Sequence, residues 1–153
     1  MSVDPSSYYV IDLPEAAYSS ELRVEPVIPS SSKELREHVE RFARYFLREM
    51  HTGGIQFEAG EIPESTGYVP YRAYLFAVQD RYIGAGCFRE RGDEDSDVPW
   101  VFDWLWFHPY FRSRGHLSRA WPVLVSEIGR FRLAYPLSHA MKAFLQKVGW
   151  SAS

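Results

Sequence analysis

Residues 105 to 115 read Leu-Trp-Phe-His-Pro-Tyr-Phe-Arg-Ser-Arg-Gly, and a helical pattern begins near Leu117. An apolar strand runs into a Pro-bearing loop with two arginines and a glycine, and then into a helix. That order aims several main-chain N–H groups and a helix N-terminus at one point, where an anion such as a phosphate is stabilised. A plain strand–loop–helix with surface arginines has the same local appearance. The remainder of the chain has to choose between them.

Residues 1–31 hold two strand-like runs, Tyr8–Leu13 and Leu22–Ile28, broken by Pro14, Pro26 and Pro29. Ser31, with Glu34 three residues on, forms a capping box. Leu35, Val39, Phe42, Phe46, Leu47 and Met50 then recur at the helical period and predict a helix to about Met50 that packs on a sheet. His51–Pro70 is rich in Gly, Glu and Pro, and connections this long inside a compact domain are often functional. Tyr74–Val78 and Tyr82–Arg89 predict an antiparallel hairpin turned at Gln79-Asp80-Arg81.

A charged loop, Arg89–Asp97, leads to Trp100–Phe107, the most hydrophobic strand, interrupted only by Asp103. Alternation along a strand puts Trp100, Trp104 and Trp106 on one face and Asp103 with Leu105 and Phe107 on the other. The helix past Gly115 carries Leu117, Trp121, Leu124, Val125 and Ile128 and stops at Gly129. Pro122 inside it requires a later start or a bend, because it removes an N–H and clashes one turn back. A short strand, Arg130–Tyr135, precedes a last helix capped by Ser138, with Met141, Phe144, Leu145 and Val148 on one face and Gly149 at its end. The order describes a mixed α/β (α+β) fold in one domain, 1–153, with 1–31 as a strand-containing extension.

The 153 residues suffice for one buried core. Their formal charge of −3 gives no electrostatic bias toward nucleic acid or an anionic membrane. No apolar run approaches the ~20 residues that span a bilayer, and the N-terminus lacks the basic and apolar regions of a signal peptide. A cytoplasmic protein is the expectation. Cys87 is the only cysteine, so no intrachain disulfide forms, and in an apolar strand it reads as a small core residue. The five histidines show no paired spacing with Cys or carboxylates, so no metal site is expected.

Between Trp100 and Trp150 the chain resembles the GCN5-related N-acetyltransferase (GNAT) superfamily, and the element order extends the likeness over roughly residues 32–150. The family pattern is an apolar strand ending in Val-x-Pro, then x-Tyr-Arg-Gly-x-Gly-x-Gly, then a helix. Here Phe107 stands for the Val, Pro109 for the Pro and Phe111 for the Tyr. Arg112 opens the phosphate loop and Gly115 is its central glycine. Ser113 replaces a common Gly, and Leu117 the final Gly or Ala, with Ser118 the nearest small residue. Pro136–Trp150 is similar to the family's last helix, which usually ends in Gly-Phe, and the arrangement is also similar to the sister-chromatid-cohesion acetyltransferases.

The resemblance implies a mostly antiparallel central sheet flanked by helices. Its C-terminal end would be shortened, because the chain stops three residues past Trp150. The N-terminal strands, or a second subunit in a homodimer, would then complete the sheet. It also implies acetyl-CoA as cosubstrate and an amine acceptor, either a small molecule or a protein. The Phe107 segment would splay from its neighbour to meet pantetheine. Arg112, Ser113, Arg114, Gly115, His116, Leu117 and Ser118 would surround the pyrophosphate, the helix end adding roughly half a positive charge. Arg112 and Arg114 would add charge-assisted contacts, and His108 and His116 flank the loop.

Acyl transfer needs a neutral amine, and deprotonating one of pKa ~10.4 at pH 7 costs roughly 4–5 kcal/mol. Asp103, the lone carboxylate in the apolar strand, is the first candidate for general base. The structural alternative is a buried Asp bonded to a neighbouring backbone or Trp N–H, or a solvent-facing one. Glu90 is a weaker candidate at a strand end. The tyrosine that often acts as general acid in this family falls at Leu145, which cannot donate a proton. Ser138 and Tyr135 are the nearest donors for the leaving thiolate, against their plainer roles as cap and packing residue. A backbone N–H near Phe107 would meet the oxyanion. A different class of reading keeps the fold without the chemistry: a non-catalytic module that binds acyl-CoA or a protein partner.

Overall fold

A computed structural model of the chain describes residues 11–50, 57–91, 98–134 and 139–150. The elements run β1 (Glu15–Val27), α1 (Lys33–Met50), β2 (Tyr71–Glu90), β3 (Trp100–Phe107), α2 (His116–Ile128), β4 (Arg132–Leu133) and α3 (His139–Val148). They form one sheet in the order β1-β2-β3-β4, antiparallel except for the parallel β3–β4 pair.

β2 reverses on itself. The Glu90 N–H donates to the Pro70 carbonyl at 2.9 Å, and Tyr74 meets Phe88 edge-on at 6.0 Å. The ends of an uninterrupted strand of this length would stand ~65 Å apart. The reversal falls at exposed residues around Gln79, whose φ of 56° supplies the left-handed step a tight turn needs. The expected hairpin is therefore present. Its first arm pairs with β1 (Val27 opposite Ala73) and its second with β3 (Gly84 opposite Phe107).

Three boundaries differ from expectation. β1 is a single strand that contains most of the Leu22–Ile28 run, while Tyr8–Val10 lie outside the described residues and Ile11–Leu13 form no strand. Among the described residues β1 pairs on one side only, which lets it tolerate Pro26. The α1 cap is Ser32 rather than Ser31: Ser32 Oγ accepts the Leu35 N–H at 3.3 Å, while Ser31 Oγ accepts the Ile28 N–H and closes the preceding turn. β4 is two residues long rather than six. α2 does run through Pro122, whose position is exposed, so the carbonyl it leaves free can face water.

Two apolar layers sandwich the sheet. On one face Val39, Phe42 and Ala43 of α1 pack on Ala73, Leu75, Ala77, Cys87, Trp104 and Trp106. On the other, Trp121 and Leu124 of α2 and Leu145 of α3 pack on Phe76, Phe88, Phe102 and Phe107. The pairing of β2 with β3 shifts between Cys87 opposite Trp104 and Phe88 opposite Phe102, which makes Asp103 the extra residue of a β-bulge. The bulge corrects the expected alternation. Trp100 packs with the α2 layer, and Trp104 and Trp106 with the α1 layer. Leu105 and Phe107 then fall on the face opposite Trp104 instead of sharing one with Asp103.

Candidate functional site

The edge of β3 opens where β4 ends. Parallel pairing covers only Val101–Arg132 and Phe102–Leu133, with a last bond from the Ala134 N–H to the Phe102 carbonyl at 3.1 Å. Further along, the His108 N–H donates to Ile83 of β2 at 2.8 Å. Successive residues of a strand direct their main-chain groups to opposite edges. The polar groups of Leu105 and Phe107 therefore face away from β2, into the gap beside β4. The Phe107 carbonyl is taken by Arg112 Nε at 2.8 Å. Among the described residues, the Leu105 N–H and carbonyl and the Phe107 N–H have no partner and border a cavity of about 560 Å³.

Leu105–Phe107, the loop and start of α2, and Ala140, Met141, Ala143, Phe144 and Lys147 of α3 line that cavity. Pro109–Phe111 makes one 3-10 turn, closed by the Phe111 N–H on the His108 carbonyl at 2.8 Å and capped by His108 Nδ1, which accepts the Tyr110 N–H at 3.0 Å. Burial, then the Arg112 charge, lowers the His108 pKa, in keeping with an unprotonated acceptor nitrogen. The chain then turns through two left-handed residues, Ser113 (φ 60°) and Gly115 (φ 83°). Ser113 occupies a backbone conformation that glycine adopts without strain. The first helical bond back into the loop runs from the Arg119 N–H to the Gly115 carbonyl. Among the described residues, the six main-chain N–H groups from Ser113 to Ser118 have no protein acceptor.

The arginines of this loop build it. Arg112 clasps Glu49 with both terminal nitrogens, at 2.8 and 2.9 Å. Arg114 Nε donates to the Tyr110 carbonyl at 2.6 Å with its guanidinium over the Tyr110 ring. Arg119 Nη1 donates to the Arg114 carbonyl. His116 lines the cavity with a buried Nδ1 that has no partner. Burial, followed by the Arg119 and Arg114 charges, lowers its pKa.

Asp103 lies elsewhere. The bulge turns it toward Arg89 and Arg91, beside a second, polar cavity of about 370 Å³ walled by Glu58, Glu61, Arg89, Arg91 and the Ser65–Val69 turn. Its side chain is 8% exposed, and both of its oxygens accept from Arg91 Nη2, at 3.0 and 3.2 Å. Arg89 lies 3.7 Å away on the inner side and holds Glu61 through two nitrogens at 2.7 and 3.0 Å. The bland alternative, an Asp bonded to backbone or indole, gives way to a salt-bridged cluster. Glu90 is exposed and lines neither cavity.

Tyr135 and Ser138 lie outside the described residues. Leu145 is buried in the α2-side core, so α3 presents Met141 and Phe144, not residue 145, to the cavity beside β3. Cys87 is fully buried, and burial pushes its thiol pKa well up, leaving an inert core residue. Glu49, Glu61, Arg89 and Arg91 were not singled out from the sequence. Only Arg89 carried a local signal, a charge inside an otherwise apolar strand. Among the described residues no three His, Cys, Asp or Glu come together as a metal cluster, and no helix is long and apolar enough to cross a membrane.

No family model matches the chain, and no curated protein sequence matches it. Solved structures do match. A ribosomal-protein-alanine N-acetyltransferase from Brucella melitensis biovar Abortus 2308 superposes with a TM-score of 0.56 at 11% identity, over 87% of this chain and 94% of that one. An aminoglycoside acetyltransferase from an uncultured soil metagenomic sample, in complex with sisomicin, gives 0.54 at 12% identity over 84% and 85%. A GNAT-family acetyltransferase from Streptococcus pneumoniae TIGR4 gives 0.52 at 16% identity over 86% and 88%. The chain has the GNAT fold, a mixed α/β architecture whose mostly antiparallel sheet is flanked by helices. A shared fold does not by itself carry an activity.

Proposed function

We propose that the protein is an acetyl-CoA-dependent N-acetyltransferase. The observation that carries this reading is the run of unpartnered main-chain N–H groups from Ser113 to Ser118 at the mouth of the gap between β3 and β4. Six donors around one helix N-terminus suit a diphosphate, which needs several hydrogen bonds and positive potential together. Leu105 and Phe107 offer the adjacent edge to pantetheine amides, which extend along it as an added strand would. Ser113, Arg114, Gly115, His116, Leu117 and Ser118 hold the diphosphate chiefly through main chain.

The thioester then lies along β3 toward the bulge, and the acceptor enters from the polar cavity. The amine nitrogen attacks the thioester carbon, and the carbonyl oxygen takes the electron pair as an oxyanion at the Leu105 or Phe107 N–H. Collapse re-forms the carbonyl and breaks the C–S bond. The amine proton leaves toward Asp103 through water, and the coenzyme thiolate takes a proton from solvent, or from Tyr135 or Ser138. Glu58, Glu61 and Asp103 against Arg89 and Arg91 leave the polar cavity one negative charge in excess, which favours a cationic amine. Two of the matched structures are named for such acceptors, a ribosomal-protein alanine and an aminoglycoside.

Isothermal titration with acetyl-CoA tests the cradle, and absence of binding at millimolar ligand rejects it. A thiol-release assay with a polyamine, an aminoglycoside and a peptide with a free N-terminus tests transfer. Asp103→Asn should lower kcat about 100-fold while leaving acetyl-CoA affinity within twofold, the usual reach of a general base. A second reading, a non-catalytic acyl-CoA-binding module, draws on the clamp on Asp103 and on the absence of any hydroxyl among the α3 residues that line the cavity. Coenzyme binding without thiol release from any of the three amines would favour it.

A further inference from the structure

We infer that Glu49, at the last turn of α1, is a positioning residue for the coenzyme, acting through Arg112 as a strut beneath the phosphate loop. This rests on the coenzyme-binding reading above and goes beyond it. The family resemblance implies that Arg112 touches phosphate directly, whereas the structure gives its guanidinium a different task.

All three guanidinium nitrogens of Arg112 already donate to protein oxygens. Nη1 and Nη2 grip the two Glu49 oxygens at 2.8 and 2.9 Å, so the planar fork that binds a phosphate bidentately is already filled. Nε donates to the Phe107 carbonyl at 2.8 Å, and the guanidinium lies over the Trp106 ring at 5.6 Å. Its own N–H closes the 3-10 turn on Pro109. These contacts tie three parts together: the end of α1, the last residues of β3 and the start of the loop.

Glu49 is an odd choice for its place on purely helical grounds. A carboxylate in the last turn meets the negative end of the helix dipole and is disfavoured there. The Arg112 cation offsets that repulsion, and no other ion pair holds Glu49 among the described residues. The pair also fixes the backbone just beyond Arg112. The next residue, Ser113, turns left-handed at φ 60°, an unfavourable step for a side chain that persists only if both sides of the turn are held. On the upstream side Arg112 is that hold. The amides from Ser113 onward point where they do because Arg112 is anchored.

The test is a double-mutant cycle on the full-length chain, read by titration with coenzyme A and with pantetheine. Glu49→Ala, Arg112→Met and the double variant should each weaken coenzyme A about tenfold, with the double no worse than either single, and leave pantetheine binding unchanged. Arg112→Lys should fall with Arg112→Met, because an ammonium cannot make the two-nitrogen clasp although it can still serve as a point charge for phosphate. Additive losses, Arg112→Lys retaining wild-type affinity, or Glu49→Ala tightening coenzyme A by releasing Arg112 onto the phosphate would each overturn the strut. Equal losses for pantetheine would also overturn it, by showing general damage. If the wild-type chain binds no coenzyme A, the coenzyme reading falls and the strut with it; wild-type binding with an additive cycle removes the strut alone.

Discussion

The two polar regions on either side of the β3 bulge are built by opposite means. In the loop from Phe107 to Ser118 the side chains are spent on scaffolding, and the main chain is left with free donors. In the Glu61–Arg89–Asp103–Arg91 cluster the main chain is strand, bulge and turn, and the side chains carry the charges. Under the proposed function the first would serve the coenzyme, the same in every turnover, and the second the acceptor, whose recognition has to be particular. The contrast also says which changes each region tolerates: the loop depends on backbone conformation, the cluster on residue identity.

The harshest probe of the cluster is Arg89→Met. It strands Glu61 and leaves Asp103 with one cation, in a place where the Arg89 side chain is only 8% exposed. Removing one partner of a buried ion pair costs about 3–5 kcal/mol, and urea denaturation should show a loss of that size. A loss under 1 kcal/mol would mean that the network is solvated and that the two regions differ less than drawn.

Gly84→Ala probes the contact between β2 and the end of β3 that carries Phe107. A Cβ there would lie 2.4 Å from the Trp106 carbonyl oxygen and 3.0 Å from the Phe107 Cα, both main chain. Pushing β2 from β3 should cost about 2–3 kcal/mol in the same assay and should weaken coenzyme binding by displacing Phe107. Ser113 sharpens the claim that the loop works through backbone. Ser113→Gly relieves the left-handed step and should stabilise the fold by about 0.5 kcal/mol net of unfolded-state entropy. Ser113→Val should destabilise it by about 1–2 kcal/mol and weaken coenzyme A. A destabilising Ser113→Gly, or a Ser113→Val that costs nothing, would break the backbone account.

The smallest effect concerns protons. Burial and two arginines hold the His116 pKa below its ordinary 6.5 in the folded chain. The unfolded chain therefore binds more protons across the interval between the two values. The stability His116 contributes is present above 6.5 and is lost as pH falls through that value toward the lowered one. A diphosphate beside the imidazole raises its pKa again, so binding takes up protons. Affinity for dephospho-coenzyme A, whose diphosphate does not titrate in this range, should rise about threefold from pH 7.5 to pH 6. His116→Asn should flatten the profile, and affinity that falls with acid would place the phosphate away from His116.

Much of the loop was legible before any coordinates. Phe107, Pro109, Arg112 and Gly115 stand in one short stretch, and a backbone cradle is a local object whose residues are neighbours in sequence. The hairpin at Gln79, the helix stop at Gly129 and the α1 stripe were legible for the same reason. Asp103 was visible as a lone charge, but its surroundings were not. A bulge is set by the register of two strands, and nothing in Trp100–Phe107 read alone says that Phe88 will face Phe102 while Cys87 faces Trp104. That one-residue slip turned Asp103 off the face that carries Leu105 and Phe107 and into the arginine cluster.

Periodicity and turn chemistry thus determined the element order and the place of the loop with free main-chain donors, because both act over a few bonds. Tertiary structure alone decided that Arg112 turns to Glu49, 63 positions away, and that Asp103 meets Arg89 and Arg91. A guanidinium and a carboxylate pair by proximity in space, and the packing of α1 on the sheet together with the register of β2 on β3 sets that proximity, whatever the spacing of letters along the chain.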